Sequence, residues 1–124
     1  MLSILIVEDS HTFREALEAD LRDRFPCSAV SAVLSAEEAL QKITEAPPHI
    51  IFSDIRLPGA TGLQLLRKIK AEYPHIKVAI ITAYDLPEYQ QASRQYGADC
   101  FFVKDSLDWK AIEAFVLASS PHPV

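Results

Sequence analysis

Ile50-Ile51-Phe52-Ser53-Asp54-Ile55-Arg56-Leu57-Pro58-Gly59-Ala60-Thr61-Gly62 is an apolar run of strand length that stops on a carboxylate and passes at once into a Pro-Gly turn. A carboxylate so placed sits at the carboxyl end of a buried strand, on the rim of a sheet. In open α/β sheets that rim is where ligands bind and chemistry occurs. Asp54 therefore matters to the extent that other segments send suitable side chains to the same rim.

Working outward, four more apolar runs of strand length alternate with segments of helical periodicity. Leu2 to Val7 is β-branched and apolar without polar alternation, as in a strand buried on both faces, and it ends on Glu8-Asp9. Phe13, Ala16, Leu17 and Leu21 follow at helical spacing, from about Ser10 or His11 to a stop before Pro26. Cys27 to Leu34, rich in Ala and Val, reads as the second strand. Ser35-Ala36-Glu37-Glu38 has the form of a capping box and opens a helix that ends before Pro47-Pro48. His49 to Ser53 is the strand that leads into Asp54. The next helix runs from about Thr61 to Tyr73 with Leu63, Leu66 and Ile69 inward and Leu65 on its flank. Lys77 to Ile81 is the fourth strand, ending on Thr82. A helix then begins at Asp85-Leu86-Pro87-Glu88, with an acidic cap, and closes at Gly97. Cys100 to Val103 is the fifth strand, ending on Lys104, and a last helix covers about Leu107 to Ala118 with Trp109, Ile112, Phe115 and Val116 on one face. Strand-helix alternation with short loops implies an α/β fold with a parallel sheet, right-handed crossovers and helices on both faces.

Composition agrees with one such domain. The 124 residues are 49% apolar and 23% charged, ordinary globular proportions. A chain of this length buries roughly two-thirds of its unfolded surface and needs no metal or disulfide to fold. A net charge of −5 with scattered basic residues argues against nucleic-acid binding through this domain. No apolar run is long enough to span a bilayer, and Met1-Leu2-Ser3 lacks a basic leader region, so a cytoplasmic setting with no membrane contact is expected. Cys27 and Cys100 lie in separate apolar segments and read as buried thiols. Residues 1–118 read as the domain and 119–124 as a tail or the start of a linker.

In a parallel sheet all strands end on one side. Glu8, Asp9, Asp54, Thr82 and Lys104 thus arrive together. Three close carboxylates cannot all stay ionised without a counter-charge, and a hard divalent cation removes that repulsion. Mg²⁺ takes oxygen ligands, and is typically held by one or two carboxylates plus a phosphate. Lys104 and Thr82 can meet that phosphate, and the central Asp54 can act as nucleophile. The chemistry inferred is phosphoryl transfer to a carboxylate. Each feature alone has a plainer reading: Asp9 as a helix cap, Thr82 as a strand-end hydroxyl bonded to backbone, Lys104 as a solvated lysine, Phe101 as core. Their convergence at one rim outweighs those readings. His11, His49, His75 and His122 have no metal-ligand spacing and receive no site role.

Ile6-Val7-Glu8-Asp9-Ser10, Asp54-Ile55-Arg56-Leu57-Pro58 with Gly62, Ile81-Thr82-Ala83-Tyr84, and Gly97-Ala98-Asp99 leading to Lys104 together resemble the receiver domain of two-component response regulators, the CheY-like superfamily. The resemblance covers nearly the whole chain. It implies a flavodoxin-like (βα)5 fold with strand order 2-1-3-4-5, which would put Cys27 and Cys100 on opposite edges, too far apart for a disulfide. It implies a phosphoryl group passed to Asp54 from a sensor histidine kinase or phosphotransfer protein in the presence of Mg²⁺. Asp9, Asp54 and the backbone carbonyl of Arg56 would ligate the metal, and Glu8 would act through water. Lys104 would pair with the acyl phosphate, Thr82 would swing in to hydrogen-bond it, and Phe101 would follow inward. The surface of the fourth helix, fifth strand and fifth helix would meet an effector or a second copy; Tyr84, Leu86 and Tyr89 lie near it. Such a domain is a regulatory phosphoacceptor, assisting only its own phosphorylation and dephosphorylation.

The chain departs from the family pattern after the lysine, where Asp105 replaces the usual cis-proline. A non-proline cis bond costs about 3 kcal/mol, so a trans bond and a different loop are expected. Lys104-Asp105-Ser106 resembles receivers fused to helix-turn-helix output domains, so the chain is a stand-alone receiver or the receiver of a larger regulator. Arg56 and Tyr84, able to overhang the acyl phosphate, are expected to hinder attacking water and slow its loss. Three other readings compete. A receiver-fold interaction module that takes no phosphate predicts loss of a key Asp, Thr or Lys, and none is lost. A flavin-binding protein needs a hydroxyl-rich loop where Glu8-Asp9 stands. An aspartate-nucleophile phosphatase needs its nucleophile after the first strand with a second Asp two residues on, which Glu8-Asp9-Ser10-His11 does not supply.

Overall fold

The structure, a computed structural model, describes residues 1–120. Its elements are β1 (Ser3–Val7), α1 (His11–Arg24), β2 (Ala29–Val33), α2 (Ala36–Glu45), β3 (Ile50–Ser53), α3 (Gly62–Glu72), β4 (Lys77–Thr82), α4 (Pro87–Gln95), β5 (Cys100–Val103), a 3-10 turn (Lys104–Ser106) and α5 (Trp109–Ala118). The strands form one parallel sheet in the order β2-β1-β3-β4-β5, as expected. Among the described residues, no helix is long and apolar enough to cross a membrane.

The central strands β1, β3 and β4 bury both faces, because alternate residues point to opposite sides. Ile4, Ile6, Phe52, Ala79, Ile81 and Phe102 face α1 and α5, where Leu17, Leu21, Ile112, Phe115 and Val116 complete one core layer. Leu5, Val7, Ile51, Val78 and Ile80 face the other way, onto Ala36, Ala39 and Ile43 of α2 and Leu65, Leu66 and Ile69 of α3. The helix α4 lies on this second side but is weakly anchored: Ser93 is its only fully buried residue.

Several local expectations need correction. In α3 the buried face is Leu65, Leu66 and Ile69, which pack with α2 and the sheet, and Leu63 is only half-buried at the edge of that layer. Ala16 is exposed rather than inward. Ser35 caps α2 by accepting from the Glu38 N–H at 3.2 Å, but Glu38 reaches past the cap to the Leu34 N–H at 2.7 Å. The reciprocal capping box belongs instead to Thr61 and Gln64, which starts α3. Asp85 does not cap α4: Leu86 is at the cap, Pro87 opens the helix, and Asp85 accepts from the Gln90 side chain at 3.0 Å. The last helix starts at Trp109, two residues later than expected, because Asp108 accepts from the Ala111 N–H and caps it there. Cys27 is an exposed free thiol in the turn before β2, and Cys100, also free, is half-buried.

No peptide bond among the described residues is cis, so the Lys104-Asp105 link is trans, and the 3-10 turn replaces the proline-containing loop. The expected tail falls largely on residues 121–124, outside the described part; the N–H groups of Ser119 and Ser120 still bond back onto α5.

Candidate phosphoacceptor site

The sheet delivers the rim residues in register. Val7 pairs with Ser53 and Thr82 with Val103, and the ladder continues one step further. The Asp54 N–H donates to Val7 O at 3.0 Å, and the Glu8 N–H donates to Val33 O at 3.1 Å. Both backbones are thus held by the sheet although their side chains face out of it.

The Asp54 carboxylate is fixed on both oxygens. Its Oδ1 accepts from the N–H groups of Ile55 at 2.6 Å and Arg56 at 3.3 Å, and its Oδ2 accepts from Lys104 Nζ at 2.9 Å. The turn that follows can form because Gly59 adopts φ +74°, open to glycine at little cost. Gly62 then returns to the strand end and donates to Ile55 O at 2.7 Å. A Cβ on Gly62 would lie 1.8 Å from the Asp54 carbonyl oxygen, so only glycine fits. The motif's glycine is a requirement of close backbone approach beside Asp54.

Lys104 Nζ also donates to Glu8 Oε1 at 2.5 Å, and the ammonium lies 4.6 Å from the centre of the Phe13 ring. Glu8 is 2% exposed and Asp54 7%, whereas Asp9 stands in solvent at the mouth. Burial is the main reason the Glu8 carboxyl is pushed up to about 7; the Lys104 hydrogen bond opposes this and the nearby Asp54 charge adds to it. The Lys104 ammonium is held above its usual range: burial opposes the charge, and the bonds to Glu8 and Asp54 outweigh it. One cation therefore serves two buried carboxylates with a third beside them. Burial likewise raises the Cys100 thiol, with the Asp99 charge adding to it.

One carboxylate oxygen from each of Glu8, Asp9 and Asp54 lies within 4.8 Å of the others. An all-oxygen set of this kind, two buried and one exposed, fits a hard divalent cation that retains water. Thr82 is fully buried, and its Oγ1 accepts from the Tyr84 N–H at 3.2 Å. Phe101 is half-buried on the α4 side of the sheet, beside Ile80 in the β4–β5 register. Arg56 and Tyr84 do meet: the guanidinium stacks on the Tyr84 ring at 4.0 Å. The structure thus brings Glu8, Asp9, Asp54 and Lys104 into one cluster, with Arg56 and Tyr84 at its edge.

Three neighbours escaped sequence reasoning. Phe13, read as core, covers Lys104; its only signal was its place in the first turn after Glu8-Asp9. Arg14 donates to the Glu8 carbonyl oxygen at 3.1 Å. Tyr89, read only as a surface or interface residue, takes a 3.4 Å hydrogen bond from Arg56.

Comparison with known proteins agrees with this geometry. The family model described as "Response regulator receiver domain" matches residues 4–115. The response regulator GacA of Pseudomonas protegens is 30% identical over 104 residues, covering 84% of this chain and 49% of that protein. The response regulator FleR of Pseudomonas aeruginosa is 36% identical over 101 residues, covering 82% of this chain and 21% of that protein. The chain thus spans half or less of the length of these relatives. Among solved structures, a CheY-like receiver domain protein from Methanospirillum hungatei superposes with a TM-score of 0.86 at 26% identity, covering 96% of this chain and 94% of that one. TrrA of Thermotoga maritima, solved in complex with Mg(2+)-BeF, superposes with a TM-score of 0.84 at 27% identity, covering 97% of this chain and 100% of that one. The fold, the strand order and the family match agree: the chain belongs to the response regulator receiver domain family of two-component systems.

Proposed function

We propose that the chain is a phosphorylation switch whose phosphoacceptor is Asp54. The observation that carries this reading is the doubly held Asp54 carboxylate, flanked by Lys104 and by the Glu8 and Asp9 oxygens. The phosphoryl donor is a phosphohistidine of a sensor histidine kinase or phosphotransfer protein. An Asp54 oxygen attacks phosphorus, the phosphorus–nitrogen bond breaks, and the imidazole leaves and takes up a proton. The pocket's contribution is positioning and charge neutralisation rather than covalent chemistry of its own.

Glu8, Asp9, Asp54 and the Arg56 carbonyl would hold Mg²⁺. Bound there, the cation supplies charge neutralisation between the carboxylates and the incoming phosphoryl oxygens. Lys104, already on Asp54 Oδ2, follows the charge outward and pairs with a phosphoryl oxygen. Thr82 exchanges the Tyr84 N–H for that phosphoryl group by turning its hydroxyl to donate. Its movement vacates space beside β5 and lets Phe101 turn inward, which changes the α4-β5-α5 surface.

An effector or a second copy of the chain reads that surface. In support, a groove of about 310 Å³ lies between α4 and β5 beside Phe101, and the Ser93 hydroxyl in it has no hydrogen-bond partner among the described residues. Residues 1–118 would act as the receiver unit, in a cytoplasmic setting. No observation favours the phosphate-independent interaction module, since Asp54, Thr82 and Lys104 are all retained.

The direct test is intact mass after incubation with Mg²⁺ and acetyl phosphate. One added phosphoryl group is expected in the wild type and none in Asp54→Ala. No gain in the wild type, or equal gain in both, would overturn the proposal.

A further inference from the structure

Among the described residues, Arg56 forms no direct salt bridge, and the nearest carboxylate that acts on it is Asp54. The arginine is exposed, and its guanidinium carbon lies over the Tyr84 ring, 4.0 Å from the ring centre, while Nη2 donates to the Tyr89 hydroxyl at 3.4 Å. The two rings meet edge to face, 6.4 Å apart. These contacts join three separate elements: the loop after Asp54, the loop after Thr82, and α4. The last is the helix with a single fully buried residue, so each additional tie counts toward its position.

The backbone N–H of Arg56 already donates to Asp54 Oδ1, so the arginine starts from the rim of the pocket. A phosphoryl group on Asp54 adds nearly two negative charges and three strong acceptor oxygens there. A guanidinium held by neutral rings and one long hydrogen bond prefers such a dianion, to which it can bond in fork geometry.

We propose that Tyr89 is a positioning residue for Arg56: it holds the guanidinium at the mouth of the site in the resting protein and loses it to the phosphoryl group. The exchange has two consequences. Arg56 moves over phosphorus and obstructs the line of approach of water. At the same time α4 loses its tie to the Asp54 loop and is freer to move. Site and helix would thus be coupled through one side chain, independently of Thr82 and Phe101. The inference rests on the phosphoacceptor reading of Asp54.

The test is a double-mutant cycle on phosphoryl lifetime. Wild type, Tyr89→Phe, Arg56→Ala and the double variant are phosphorylated with acetyl phosphate, freed of donor, and their decay followed by intact mass. Tyr89→Phe keeps the ring and removes only the hydroxyl that competes for Arg56. It should therefore slow decay by roughly two- to fivefold, the size set by an exposed charged contact. In the Arg56→Ala background the same change should have no effect. Decay of Tyr89→Phe at the wild-type rate, or an equal effect in both backgrounds, would overturn this inference alone. A wild type that takes up no phosphoryl group would overturn the phosphoacceptor reading and this inference with it.

Discussion

Glu8→Gln isolates the charge whose burial the structure makes most costly. Glu8 is 2% exposed and its carboxyl is pushed up to about 7 from an ordinary 4.5, chiefly by burial. A carboxyl raised in the folded state binds its proton more tightly than in the unfolded chain. Its stabilising contribution is therefore complete below 4.5 and is lost as pH rises through about 7. At about 1.4 kcal/mol for each pH unit, the loss is on the order of 3 kcal/mol. Glutamine imitates the protonated form at every pH and keeps an acceptor oxygen for Lys104. The assay is urea unfolding of both proteins at about pH 4 and about pH 8 with a chelator present, which brackets the two titrations. The variant should gain on the wild type by about 3 kcal/mol between those conditions. Parallel pH profiles, or a variant that loses ground as pH rises, would refute the reasoning. The second result would mean that Glu8 is ionised and net stabilised by Lys104.

Other expectations follow from the same geometry. At the proposed Mg²⁺ site Glu8 would have to release its proton, so affinity measured by calorimetry should rise by about tenfold per pH unit below about 7 and flatten above it. Glu8→Gln should abolish that slope. Gly62→Ala places a Cβ 1.8 Å from the Asp54 carbonyl oxygen, so the loop must shift. A loss of about 1–3 kcal/mol in urea unfolding is expected, together with slower phosphorylation by acetyl phosphate. Replacing Arg56 and Tyr84 together with alanine should open the mouth of the site and speed phosphoryl loss, as read by intact mass over time.

The topology was readable because burial on both faces makes the central strands β1, β3 and β4 nearly continuous apolar runs, and Pro26, Pro47, Pro74 and Gly97 punctuate the helices. The cluster at the candidate site was readable because parallel strands end on one rim, so the residue after each strand is a candidate without knowledge of any distance. Helix phase was less accessible. Whether Leu63 or Leu65 lies inward in α3 depends on how the helix docks, and both fit the apolar spacing. Asp85 and Pro87 together suit a helix start, but the choice of cap depends on loop geometry that places Leu86 there. Phe13 over Lys104 and Tyr89 beside Arg56 were out of reach for another reason. Those contacts join elements far apart in the chain, and the residues carry no local pattern.

The central claim is that Asp54 carries the phosphoryl group, and chemical trapping tests it most directly. An acyl phosphate is reduced by borohydride to the corresponding alcohol, so a phosphoaspartate becomes homoserine while a free carboxylate does not react. After treatment with Mg²⁺ and acetyl phosphate, reduction and peptide mapping, homoserine should be found at position 54 and absent from Asp54→Ala. Homoserine at Asp9 or another carboxylate, or none anywhere, would contradict the account.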